Sequence, residues 1–114
     1  MARTVDGGGN TGVNIGSSSN TIPKHIDITG ITFEASGSNS GLLLDRAQHV
    51  RLTDCGFKGT WAQGDAVGVG YKGVDAESGG SYTVKHVTFD HCTFSSILYA
   101  FNSDYDVESV NFQN

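Results

Sequence analysis

Apolar and polar residues alternate along this chain in short bursts, and the same burst recurs. HIDITGITF at 25–33, HVRLTDCGF at 49–57 and HVTFDHCTF at 86–94 align without gaps, and SVNFQN at 109–114 matches the start of the same pattern. The apolar positions are Ile26, Ile28, Ile31 and Phe33, then Val50, Leu52, Cys55 and Phe57, then Val87, Phe89, Cys92 and Phe94. A period of two predicts a strand with one buried face. The doubled pair in the middle (Thr29–Gly30, Thr53–Asp54, Asp90–His91) breaks that period. It predicts a bend between two short strands that both point their apolar residues inward.

A second apolar segment follows each copy after a polar or Gly-rich turn. It is read as GLLLDRA at 41–47, DAVGVGY at 65–71 and SILYAFN at 96–102, with GVNIGSSS at 12–19 as the same element of an earlier coil. Each coil then holds three short strands and three turns, stacked on the next coil at about 4.8 Å. Like residues come to lie over like in interior ladders, and no coil buries its apolar face alone. The copies begin 24, 37 and 23 residues apart, so the long middle interval predicts a loop insertion at about 58–85. The prediction is one all-β domain over 1–114, a right-handed parallel β-helix of about four coils. An antiparallel β-sandwich is the competing fold, but it gives no reason for a nine-residue pattern at near-constant spacing.

Composition supports strands and turns. There are 16 Gly and one Pro, and no stretch has sustained helical periodicity. The net charge of −5, without a Lys/Arg cluster, argues against nucleic acid as a partner. No apolar run approaches a membrane span, and MARTVDGGGN has no apolar signal region. Cys55 and Cys92 fit no metal spacing and no secreted disulfide framework. They occupy the same interior position in neighbouring coils. Packing as small buried thiols is favoured over a disulfide, because parallel side chains in a ladder suit the bond dihedral poorly.

The motif HVTFDHCTF, followed by a turn and an apolar strand, resembles the pectin-lyase-like β-helix superfamily. It is most similar to the coils of bacteriophage tailspikes and related tail proteins, over about residues 12–114. The resemblance implies a surface that meets polysaccharide, a homotrimer, and a place in the virion after assembly in the host cytoplasm. The superfamily's enzyme signatures are mostly missing, so no catalytic residues carry over. The fourth copy stops at Asn114 and no capping helix is visible at the start. The pattern therefore reads as an excerpt truncated at both ends, with Met1–Ala2 added for expression. A small natural protein with partner-covered ends is the alternative.

Candidate chemistry is sparse. Trp61, Tyr71 and Tyr82 lie in the insertion and are the candidate carbohydrate-binding residues, since sugars stack on aromatic rings. Covering the core edge or a subunit seam competes with that role. Glycan hydrolysis uses two carboxylates roughly 5–10 Å apart. Asp54 and Asp90 are the outward candidates, against the expectation that a solvated face carries acids anyway. Asp27, Asp45, Asp65, Asp75 and Glu77 complete the acidic set. His25, His49 and His86 open the three copies and should form a column. A shared metal ion is conceivable there, but recurring turn residues explain the column better, and no metal or cofactor is expected. Three functions follow: a phage tail segment that recognises bacterial surface polysaccharide or serves as a structural spike; a polysaccharide lyase or glycoside hydrolase; and a bacterial surface adhesin, secreted or at the cell surface.

Overall fold

A computed structural model describes residues 3–7, 11–16, 23–34, 40–60, 72–77, 84–103 and 107–113. These residues hold twelve strands and no helix, so no helix is long and apolar enough to cross a membrane. In chain order the strands are β1 (Arg3–Asp6), β2 (Val13–Gly16), β3 (Lys24–Thr29), β4 (Ile31–Glu34), β5 (Ser40–Asp45) and β6 (Gln48–Thr53). They continue as β7 (Gly56–Lys58), β8 (Lys72–Glu77), β9 (Val84–Asp90), β10 (Thr93–Ser95), β11 (Tyr99–Ser103) and β12 (Val107–Gln113). They form three four-stranded sheets, ordered β1-β4-β7-β10, β2-β5-β8-β11 and β3-β6-β9-β12. Every pairing is parallel. Each strand therefore pairs with the strand three elements on, and the chain visits the sheets in fixed rotation.

The register places the predicted apolar positions over one another. In the first sheet Val5, Phe33, Phe57 and Phe94 make one column. Val13, Leu42, Val74 and Phe101 do so in the second. The third has two: Ile26, Val50, Val87 and Val110, and Ile28, Leu52, Phe89 and Phe112. Members in the middle coils are buried, among them Phe33, Phe57, Leu42, Val74, Val50, Leu52 and Phe89. A fully buried side chain of this size stabilises by roughly 1.5–3 kcal/mol.

Left-handed backbone residues explain why the repeat has its particular rhythm. The doubled pairs fall where the third sheet meets the first, and Gly30, Asp54 and His91 there have φ of 73°, 52° and 55°. A second set opens the repeat: His25, His49, His86 and Ser109 have φ of 58°, 56°, 56° and 58°. Each such residue shifts the alternation by one. Ala47 and Val84 can then point inward before it, and Val50 and Val87 inward after it.

The second sheet departs from expectation. Its third strand is Lys72–Glu77, inside the predicted 58–85 insertion, not 65–71, and its fourth starts at Tyr99 rather than Ser96. Val67 and Val69 offer the same alternation as Val74 and Ala76, so pattern alone cannot choose between them. Close backbone approach favours the second pair. Gly12, Gly41 and Gly73 form a column at the start of this sheet, where the strands press against one another and against the first sheet. A Cβ on Gly73 would lie 2.8 Å from the Ala100 carbonyl oxygen and 3.2 Å from the Phe57 Cβ. Gly-Val-Asp-Ala at 73–76 fits that site.

Phe57 is the centre of the core. Its ring stacks on Phe33 at 5.2 Å and Phe94 at 5.1 Å, and meets Phe89 edge-on at 6.0 Å. Phe57→Ala should lower stability by about 3–5 kcal/mol in chemical denaturation. A loss under about 1 kcal/mol would place the ring outside the core.

Candidate functional site

The outer face of the third sheet gathers the described residues with most chemical potential. His25, His49 and His86 stack there, with centroids 4.8 and 4.7 Å apart and rings within 13° and 17° of parallel. All three are exposed. The left-handed conformation is costly for most side chains, by roughly 1–2 kcal/mol, and His is among those that enter it more readily. Ser109 adopts the same φ in the fourth coil. The backbone thus does not require an imidazole at this position.

Partial desolvation within the stack, then the nearness of His86, His25 and Lys24, push the His49 imidazole below its ordinary pKa. No group of three His, Cys, Asp or Glu side chains among the described residues is arranged to hold a metal ion. Parallel rings one coil apart aim their nitrogens side by side rather than at a common point.

At the far end of the same face, Arg51 Nη2 donates to Asp90 Oδ2 at 2.6 Å. His91 Nδ1 lies 2.5 Å from Asp90 Oδ1. The hydrogen bond to His91, then that to Arg51, holds the Asp90 carboxyl below the usual range. Such a carboxylate stays ionised and has no proton to donate as a general acid. Asp54, its partner in the proposed pair, sits exposed in the bend, and its N–H donates to the Asp90 carbonyl at 2.9 Å. The register makes Arg51 and Asp90 neighbours across two columns (Arg51 beside Thr88, Thr53 beside Asp90). Aligning the copies could have shown this pair, but a search for acid pairs alone passes over Arg51 and His91.

Other acids are also engaged. Asp45, 7% exposed, takes an ion pair from Arg46 at 2.7 Å. Asp75 accepts from Asn102 at 2.9 Å and lies 3.5 Å from Lys72 Nζ. Glu108 pairs with Lys85 at 2.9 Å. Asp27 lies in the same outward column as Arg51. Cys55 and Cys92 are free thiols, as expected. Cys55 donates to the Ile28 carbonyl at 3.5 Å and Cys92 to the Leu52 carbonyl at 3.2 Å, the same contact repeated one coil on. Burial raises the Cys92 pKa. Trp61, Tyr71, Tyr82 and Asp65 lie outside the described residues. A scan against protein-family models and a search of curated proteins found no match to this chain.

The lowered imidazole sets the sign of a pH effect. A histidine with a folded pKa below its unfolded value contributes stability above the unfolded pKa, about 6.5. That contribution is lost as pH falls from there through the folded value. The thermal midpoint should therefore drop between about pH 8 and pH 5. His49→Asn should flatten that drop, since Asn suits the left-handed site. An unchanged pH slope in the variant would show that the column is not its source.

Proposed function

We propose that the chain is a coil stack from a right-handed parallel β-helix of the phage tailspike kind, and that it contacts bacterial surface polysaccharide without cleaving it. The rotation of twelve parallel strands through three sheets, with like residues in register, carries this reading. The outer face of the third sheet carries Asp27, Arg51, Thr88 and Asn111 in one outward column, a polar surface suited to a segment of a hydroxyl-rich polymer. The engagement of Asp90 by Arg51 and His91 supports contact rather than cleavage, because it removes Asp90 as a proton donor and ties up its carboxylate oxygens. Trp61, Tyr71 and Tyr82 are the proposed stacking platform for sugar rings. The assembly proposed is a homotrimer in the virion. Its support is the small surface that a lone stack of about four coils can bury for its length.

A glycan array with the wild type and Trp61→Ala tests the binding. The wild type should bind weakly, since an exposed surface excludes little water, and the variant should bind less. A reducing-end assay on each bound glycan should show no new ends. New ends would restore the lyase or hydrolase reading, with Asp54 and Asp90 the first to substitute. Sedimentation should give a trimer. A monodisperse monomer would remove the assembly from the proposal.

A further inference from the structure

All four histidines of the chain, His25, His49, His86 and His91, lie on the outer face of the third sheet or in its terminal bend. Nothing in the fold demands this, because Ser109 fills the same left-handed position in β12. No side-chain hydrogen bond joins His25, His49 or His86 to another described residue, so the stacked imidazoles are not used up within the fold. The other charged groups on the face nearly cancel. Lys24 of β3, Arg51 of β6 and Lys85 of β9 stand against Asp27 of β3, Asp54 after β6, Asp90 of β9 and Glu108 of β12. With neutral imidazoles, three cations meet four carboxylates. Protonating the histidines reverses the sign of the whole face.

We infer that this face is a pH-gated binding surface for an acidic polysaccharide, engaged when the imidazole column is protonated. The inference rests on the reading that the chain contacts polysaccharide, and adds the charge class of the glycan, the site and its regulation.

Charge complementarity selects the ligand. Stacked imidazolium rings repel one another, which agrees with the lowered pKa of His49. An anion lying along the column removes that repulsion, so binding and protonation favour each other. Beside the column run outward Thr29, Thr53, Thr88, Asn111 and Gln113, hydrogen-bonding groups that match sugar hydroxyls. A polymer with a carboxylate on some of its sugars suits both features. Nucleic acid is held through Lys and Arg, and of the three on this face Arg51 and Lys85 are already paired with Asp90 and Glu108.

Affinity chromatography of the full chain on columns of immobilised polygalacturonate or dextran tests this, with duplex DNA as competitor. Polygalacturonate should retard the chain at about pH 5, and binding should weaken at least about tenfold by pH 8, equivalent to raising one imidazole by about one pKa unit. Added salt should weaken it further, and dextran should not retard the chain in this pH-dependent way. His49→Asn with His86→Asn should erase the pH dependence, whereas Trp61→Ala should leave the ratio between the two pH values intact. The unmodified chain supplies a second readout that no folding defect can confuse. Polygalacturonate should raise the titration midpoint of the His49 ring resonances. Equal binding at both pH values, an unshifted midpoint, or stronger competition by DNA would overturn the inference. Dextran binding without pH dependence would overturn it while sparing the wider proposal, and no glycan binding at either pH would sink both.

Discussion

Register between successive coils is the constraint on which everything else in this molecule depends. Parallel strands fix each residue over its counterpart in the next coil, and side chains in a column must then tolerate their own kind. Phenylalanines do so by offset stacking, as at Phe33, Phe57 and Phe94. Phe89 extends the contact sideways, edge-on to Phe57, Phe94 and Phe101. The aromatic cluster thereby ties the first sheet to the second and third. Thiols follow the same rule in another way, each turning its S–H to a carbonyl of the coil below.

Columns on the outer face obey the same geometry with the opposite preference. Like charges in register repel, and on the third sheet the charged residues that lie in register are of opposite sign. Asp27 lies beside Arg51, and Lys85 beside Glu108. The histidine column is the exception. It is acceptable while the rings are neutral, which makes it the part of the fold most dependent on the surrounding medium.

Much of this architecture could be read from the chain before any coordinates. The apolar pairs Ile26/Ile28, Val50/Leu52 and Val87/Phe89 predicted the third sheet and its parallel order. The broken period at Thr29–Gly30, Thr53–Asp54 and Asp90–His91 predicted the corner to the first. The second sheet was less legible, because two valine-rich stretches after Phe57 share one alternation. The choice between them depends on a backbone approach at Gly73 that no hydropathy pattern records. The candidate site was legible only in part. The histidine column followed directly from the repeat, but the ion pair of Arg51 with Asp90 is a diagonal contact between columns. Reading positions one column at a time does not reveal it.

The fixed rotation through three sheets also governs how such a chain must acquire its structure. No strand pairs with its immediate successor, so each ladder joins residues one full coil apart in sequence. Every pairing must close a long loop before any hydrogen bond forms, which slows the first step. Once two coils are in place, their free edges template the next, and the entropy lost in ordering each later coil is offset at once by contacts with the coil before it. Folding should therefore begin late and then run quickly along the axis. The two central coils, where Phe57 meets its neighbours on both sides, are the natural starting point.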